Sequence, residues 1–306
     1  MGKMVVKDEK GGETMPKHTD LAMEAKELWQ ESAGKTTKLP GVRAREWSAK
    51  GITMTKVEIL DHNGVRALRK PEGTYITLEW KRGLLRDPVG FSQTAAALGR
   101  ELSRMVPKTG PILVAGLGNG SVTPDAVGPR TMEHLVVTRH LAAGFPQFRP
   151  VSAIAPGVLG TTGLESVEVV RGIVERSKPC CVIVVDALAS RSPSRVCATV
   201  QITDTGITPG SGIGNYRRAF DQETLGVPVV AVGVPTVVEA QTLLQDVLEE
   251  NGRKSDKVET NYDKNMIVTP RDIDAGVNRL ARLLGYGISL GLHRGLSVSD
   301  ISCFVG

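Results

Sequence analysis

Two aspartates in this sequence have the residue type and the position that hydrolytic chemistry needs. Asp186 directly follows an apolar, β-branched run at 181–185, and Asp125 lies in a glycine-rich loop at 116–129 that follows a predicted strand at 112–115. In sheets built from alternating strands and helices, catalytic groups sit beyond the carboxyl ends of the strands. If both strands are central in the sheet, the two carboxylates meet at one edge.

Two carboxylates at close range have a defined chemistry. They cannot both ionise cheaply, so they share a proton and titrate as a pair. The ionised partner can take a proton from water while the protonated partner polarises a carbonyl, which gives peptide hydrolysis without a covalent intermediate. The alternative for either aspartate alone is a structural role, because an aspartate at a strand end often caps the next helix.

The glycines of loop 116–120 do not predict a nucleotide site. Position 121 is serine where a G-x-G-x-x-G motif needs its third glycine, and Pro124 and Pro129 interrupt the helix that would receive the phosphates. A second glycine-rich stretch, 208–215, predicts a mobile loop that contacts substrate, with a plain connecting turn as the alternative.

The triplet Asp204-Thr205-Gly206 matches the motif of pepsin-like and retroviral aspartic proteases, which need two copies of it. This chain has one copy, in an α/β context. We therefore interpret Asp204 as a turn residue after a strand, although that position also allows it to line the same cleft.

Other hydrolytic chemistries lack their residues. The sequence has no G-x-S-x-G elbow and no H-E-x-x-H helix. Its five histidines do not cluster, and His134 and His140 fall on a predicted helix as solvated or core residues. We expect no metal ligands and no cofactor, and four reduced cysteines without a C-x-x-C pair.

The elements that must position the two aspartates alternate from residue 111 onward. Strand and helix follow one another, which predicts an α/β fold with a mainly parallel, doubly wound sheet. The predicted strands are 112–115, 152–154, 180–185, 196–202 and 227–232, and the predicted helices are 131–141, 165–176, 235–250 and 271–292.

The chain before residue 111 divides into two kinds of sequence. Residues 1–20 are polar and of mixed charge and are interpreted as a propeptide, and a helical pattern begins at Thr19. Strand formers at 52–60 and 75–80, with a turn at 61–64, predict a β-rich elaboration over about 40–85. We therefore expect one catalytic domain over 21–306, with its α/β core at about 110–295.

Composition excludes several classes of protein. Hydrophobic residues make up 41% of the 306, which argues against disorder, and no apolar run is long enough for a membrane span. A net charge of +5 with only 4% aromatic residues argues against a nucleic-acid binder that stacks bases on rings. Neither a membrane nor a direct nucleic-acid partner is expected.

Several of these motifs resemble, in order, those of the germination protease family, the endopeptidases of spore-forming bacteria that degrade small acid-soluble spore proteins. The segments that carry the resemblance are 19–25, 116–129, 150–158, 185–191, 202–207, 214–215, 224–229, 235–238 and 266–270.

The resemblance implies a core similar to hydrogenase maturation peptidases and an atypical aspartic-type mechanism. The family's catalytic aspartates match Asp125 and Asp186. It also implies a homotetrameric zymogen in the cytoplasm of the developing spore, which removes its own N-terminal segment. Thr19-Asp20-Leu21-Ala22 is similar to the family's cleavage pattern, an acidic residue followed by a bulky apolar residue and alanine, so self-cleavage is expected between Asp20 and Leu21.

Two alternative functions remain open from the sequence. One is a metal-assisted peptidase of the hydrogenase-maturation type, although no histidine stands at an obvious strand end. The other is a non-catalytic protein that binds spore nucleoprotein through its positive charge, which predicts strongly salt-dependent DNA affinity.

Overall fold

The computed structural model describes residues 19–33, 39–210, 218–252 and 266–305. One nine-stranded sheet runs through these residues, with helices on both of its faces. The strands are β1 Val42–Ala49, β2 Ile52–Ile59, β3 Gly73–Trp80, β4 Ile112–Gly116, β5 Val151–Ile154, β6 Cys181–Ser190, β7 Thr199–Thr203, β8 Val229–Glu239 and β9 Ile267–Val268. The helices are α1 Ala22–Ala33, α2 His62–Leu68, α3 Pro88–Met105, α4 Val127–Met132, α5 Leu159–Thr162, α6 Ser166–Ser177, α7 Gln222–Leu225, α8 Ala240–Glu250, α9 Ile273–Leu292 and α10 Val298–Val305.

The predicted α/β class is confirmed by the centre of this sheet. The strand order is β1-β2-β3-β7-β8-β6-β4-β5, and the four strands β8, β6, β4 and β5 run parallel to one another. The residues of β4, β6 and β8 are mostly apolar and buried on both faces, as parallel strands covered by helices require.

Alternate residues of β6 serve two separate cores. Ile183 and Val185 face a cluster that includes α3 and α9, whereas Val182 and Val184 face a cluster that includes α6 and α7. Side chains of a strand alternate between the two faces, so the even-numbered residues of β6 share the face covered by α6 and α7. Asp186 belongs to that face.

The N-terminal strands extend the same sheet with antiparallel pairs. β1 pairs with β2, β2 with β3, and β3 with β7, which itself runs antiparallel to β8. Strand β1 and helix α10 were not predicted from the sequence. The elaboration over 40–85 thus continues the sheet of the α/β core through the β3–β7 pairing.

The predicted turn at 61–64 is instead the start of a helix. The carboxylate of Asp61 accepts hydrogen bonds from the backbone N–H groups of Asn63 (2.8 Å) and Gly64 (3.2 Å), so Asp61 caps α2. Aspartate and asparagine favour both turns and helix N-termini, and the local sequence does not separate the two.

The predicted helix over 131–141 is also wrong, because α4 ends at Met132. Beyond it the backbone donors bind tertiary partners: Val136 N donates to Ser289 Oγ (3.0 Å) and Thr138 N to the carbonyl of Val151 (3.0 Å). His140 lies in a single 3-10 turn, so His134 and His140 do not share a helix.

The predicted helix over 235–250 begins five residues later than expected. Strand β8 continues to Glu239 and α8 starts at Ala240. The residues Pro235 to Val238 are buried and mostly β-branched, and Val237 and Val238 pair with Ala189 and Ser190 of β6. Pairing with a long central strand decides their conformation.

Candidate active site

A cavity of about 220 Å³ lies beyond the end of β4, and four acidic residues line it: Asp20, Asp125, Glu165 and Asp186. Most of its other lining residues are apolar, among them Leu117, Val167, Leu188 and Phe220. The structure therefore brings together both sequence-predicted aspartates and the acidic residue of the predicted self-cleavage bond.

Asp186 stands at the point where β4 ends and its neighbour continues. Gly116, the last residue of β4, pairs with Val185, and β6 runs on to Ser190. Asp186 is thus the first residue of β6 beyond the end of β4, although it lies within its own strand rather than after it. Its side chain is 4% exposed.

The loop over residues 116–128, which we call the aspartate loop, is held by close backbone contacts at glycines. A Cβ on Gly128 would lie 2.1 Å from the carbonyl oxygen of Leu117 and 2.6 Å from that of Val185. Gly118 has φ +107, and a Cβ there would lie 2.1 Å from the carbonyl oxygen of Asp125. Only glycine fits at these two positions. This close packing fixes the position of the Asp125 backbone, from which its side chain extends.

The Asp125 carboxylate is further fixed inside the loop. Its Oδ2 accepts a hydrogen bond of 2.6 Å from the backbone N–H of Asn119. Asp125 ends a 3-10 turn, Thr123–Asp125, and Thr123 Oγ1 donates to the Asp274 carboxylate of α9 (2.9 Å). The aspartate loop is therefore held by a hydrogen bond within the loop and by a second one to α9.

The stretch of residues 19–24, which we call the N-terminal segment, reaches the same cavity through Asp20. Asp20 N donates to the Ala189 carbonyl (3.0 Å), and Ala189 N donates to Asp20 Oδ2 (2.8 Å). Leu21 and Ala22 are fully buried, and Leu21 packs in a small cluster with Met23 and Leu188. The acidic Asp20 therefore has a specific partner in Ala189, and the bulky apolar Leu21 has one in Leu188.

A buried carboxylate ties the N-terminal segment to the end of β6. Glu24, fully buried, accepts hydrogen bonds from Arg191 N (2.7 Å) and Ser192 N (3.0 Å) and an ion-paired one from Arg195 Nη1 (3.1 Å). It also accepts from the hydroxyl of Thr19. Charge-assisted bonds of this kind are the strong ones in a protein interior.

Lys70 supplies a cation beside the same segment. Its Nζ donates to the carbonyl of Thr19 (3.2 Å). Burial lowers the pKa of the Lys70 ammonium, while the charges of Asp20 and Glu24 act in the opposite direction and raise it. Asp20 therefore lies near both the buried Glu24 carboxylate and the half-buried Lys70 ammonium.

Asp204 does not belong to this arrangement. It is exposed, its Oδ1 accepts a hydrogen bond from Thr74 N (2.8 Å), and it is not among the residues lining the cavity. It therefore holds the start of β3, in agreement with its interpretation as a turn residue.

The loop predicted at 208–215 is described only in part. Residues 208–210 and Arg218 line the cavity, whereas residues 211–217 lie outside the described residues. Within the described ranges, no group of three or more His, Cys, Asp or Glu side chains could hold a metal ion. The helices described there include none long and apolar enough to cross a membrane.

Three residues of the site were missed by sequence reasoning: Glu24, Lys70 and Gln201. Gln201 Nε2 donates to the carbonyl of Asp20 (3.2 Å), and its Oε1 accepts from Ala22 N (2.8 Å). Gln201 lies between the apolar Val200 and Ile202 in β7, and this was a usable signal, because a buried polar group needs partners. Glu24 carries a similar signal, because it lies between Met23 and Ala25, whereas Lys70 follows Arg69 and carries none.

The fold and the cavity define an α/β protein with a ligand cavity beyond the carboxyl ends of parallel strands, the arrangement of many α/β enzymes. A family model for germination proteases matches residues 22–254. The chain is 42% identical to a germination protease of Caldanaerobacter subterraneus, over 93% of this chain and 96% of the relative, and 38% identical to one of Clostridium acetobutylicum, over 94% and 98%.

The chain therefore belongs to the germination protease family, and it is an endopeptidase. Among solved structures, it is similar to a NiFe hydrogenase maturation protease, HycI, of Thermococcus kodakarensis KOD1. The TM-score is 0.36 at 17% identity, over 61% of this chain and 98% of that one.

Proposed function

We propose that this chain is an aspartic-type endopeptidase in which Asp125 and Asp186 activate water. Its substrates are small acid-soluble spore proteins, which it degrades during germination, and it removes its own residues 1–20 by cutting between Asp20 and Leu21. The observation that carries the proposal is that Asp125, Asp186 and Asp20 line one cavity.

In the proposed mechanism the two aspartates share one proton. The ionised carboxylate takes a proton from water, whose oxygen bonds to the carbonyl carbon, while the protonated carboxyl donates to the carbonyl oxygen. The tetrahedral intermediate then loses the amine as the C–N bond breaks, with a proton delivered to the nitrogen. Which aspartate acts first as base is left open by this scheme.

The surroundings of the N-terminal segment support the substrate class. An acidic side chain fits the Ala189 N–H and the charge of Lys70, and a bulky apolar side chain fits the cluster around Leu188. Arg218, at the rim of the cavity, adds a second positive charge. These contacts fit an acidic residue that is followed by a bulky apolar one.

The proposal has a regulatory part, which rests on the family resemblance and on the position of Asp20. Residues 1–20 form the propeptide of a homotetrameric zymogen made in the developing spore core, and residues 21–306 form the catalytic domain. While Asp20 lines the cavity, its own chain occupies part of the space that another substrate needs.

The test is self-processing of the purified full-length chain, followed by sequencing of the new N-terminus. We expect Leu21 as the first residue. Asp125→Asn and Asp186→Asn should each slow processing by about 10²–10⁴-fold, the usual contribution of general acid–base catalysis. Asp204→Asn is the matched control and should process at the wild-type rate. Full activity of Asp186→Asn would contradict the assignment.

The two alternative functions give different results in the same assay. A metal-assisted peptidase loses activity after dialysis against a chelator, whereas the aspartate pair does not. A non-catalytic binder leaves both its own chain and a peptide containing Thr-Asp-Leu-Ala uncut. A second peptide with Asn in place of Asp checks that the acidic residue is recognised.

A further inference from the structure

One glutamine, Gln201, forms hydrogen bonds on both sides of the predicted self-cleavage bond between Asp20 and Leu21. Gln201 Nε2 donates to the carbonyl oxygen of Asp20 (3.2 Å), and Gln201 Oε1 accepts from the N–H of Ala22 (2.8 Å). A carbonyl can only accept and a backbone N–H can only donate, so these partners fix which end of the amide carries the hydrogens. The donor end faces the carbonyl of the Asp20–Leu21 bond.

Gln201 shares a row of the sheet with Asp186. Gly233 of β8 pairs with Asp186 of β6 on one side and with Gln201 of β7 on the other. Residues paired across a sheet project from the same face, and two strand spacings separate the outer backbones by about 10 Å. Both side chains are buried, with exposures of 4% for Asp186 and 6% for Gln201.

Gly233, at the middle of this row, has no side chain, and the side chain of Leu188 fills that position above the sheet. A Cβ on Gly233 would lie 2.4 Å from Cδ1 of Leu188, so Leu188 occupies the room that a side chain would take. Leu188 in turn packs against Leu21, the residue after the predicted cleavage bond. The bond therefore lies over a row that carries Asp186 at one end and the amide of Gln201 at the other.

We infer that Gln201 is a catalytic residue of self-processing, which donates a hydrogen bond to the Asp20 carbonyl oxygen as negative charge builds up on it during attack by water, beside the protonated carboxyl of the aspartate pair. The inference rests on the proposed function and adds to it the group that stabilises this charge. Side-chain amides serve as such donors because a preformed dipole in a water-poor site favours the charged intermediate over the neutral carbonyl.

The variant that tests the inference is Gln201→Glu in the full-length chain. Glutamate has the same shape and still accepts from Ala22 N, but it can donate to the Asp20 carbonyl only when protonated. We expect processing at neutral pH to fall by about 10²–10³-fold, the usual cost of removing one such donor. Relative to wild type at the same pH, the rate should recover as the pH is lowered and the carboxyl gains its proton.

Gln201→Leu and Gln222→Glu complete the series. Gln201→Leu has no donor at any pH and should stay slow throughout. Gln222→Glu, at an exposed position of α7, introduces the same charge away from the site and should follow the wild-type pH profile. Thermal unfolding of each variant checks that the chain is folded.

Three outcomes would overturn the inference: a wild-type rate for Gln201→Glu at neutral pH, a wild-type rate for Gln201→Leu, or equal slowing of Gln201→Glu at every pH. The last would mean that Gln201 only holds the segment. Asp186→Asn is measured beside them. If it processes normally the proposed function fails, whereas an inert Asp186→Asn with fast Gln201 variants refutes the role of Gln201 alone.

Discussion

The aspartate loop and the N-terminal segment line the same cavity, but their contacts differ in kind. The loop is held by close contacts between backbone atoms at Gly118 and Gly128, where a side chain would have no room. The segment is held by buried side chains, chiefly Glu24 and Gln201. Close backbone packing makes a permanent wall, whereas side-chain bonds to a segment can be exchanged when that segment is cut. The difference suits the roles proposed for the two regions, a loop that carries a catalytic aspartate and a segment that is cut.

The largest effect that would sharpen this comparison is expected at Glu24. Glu24→Ala leaves the N–H groups of Arg191 and Ser192 and the charge of Arg195 without this partner, and breaking a buried ion pair costs about 3–5 kcal/mol. Urea unfolding of the full-length chain measures it. Glu27→Ala is the control, because Glu27 binds the same arginine from a position that is 40% exposed, and we expect a loss of about 1 kcal/mol or less. Equal losses for the two variants would contradict the view that burial makes the segment's bonds strong.

Gly128→Ala tests the packing of the aspartate loop. Its methyl group would meet two backbone carbonyls that cannot move independently of β4 and β6, and overpacking of this kind costs about 3 kcal/mol. We expect that loss in urea unfolding, together with slower self-processing. The control Gly172→Ala lies in the exposed middle of α6 with nothing within 4 Å, and should stabilise the chain by about 0.5–1 kcal/mol. An unchanged stability for Gly128→Ala would show that the aspartate loop is not rigidly packed.

Amide hydrogen exchange would show whether processing changes the hydrogen bonds of the N-terminal segment without changing those of the aspartate loop. The N–H of Ala189 binds the Asp20 carboxylate, and a bond to a charged group is worth about 1.5–3 kcal/mol, so its exchange should be about 10–150-fold faster in the chain that begins at Leu21. The N–H of Asn119 binds Asp125 and should exchange at the same rate before and after processing. Faster exchange at both amides would mean that the N-terminal segment and the aspartate loop are coupled.

The smallest effect is expected at Asp204, the aspartate that follows a strand but lies outside the cavity. Asp204→Ala removes the hydrogen bond to Thr74 N and should cost about 1 kcal/mol of stability. Its rate of self-processing should match wild type, as measured by appearance of the shortened chain. A loss of processing comparable with that of Asp186→Asn would place Asp204 in the catalytic machinery.

The sequence predicted the centre of the fold better than its margins. Strand β6 and the loop after β4 follow directly from an apolar, β-branched run and a cluster of glycines, because both patterns are local. The helix predicted at 131–141 failed because Val136 and Thr138 donate to Ser289 and Val151, partners far away in the chain. The start of α8 was misplaced because pairing with β6 extends β8 through Val238.

The sequence by itself determined the α/β class and the family, and it predicted Asp125 and Asp186 as the catalytic pair. Only the tertiary structure decided that Asp186 and Gln201 share a row through Gly233, and that Glu24 and Lys70 flank the segment around Asp20. The physical reason is that residue type and local period record propensity and burial, whereas the register between strands far apart in the chain is set by packing of the whole sheet.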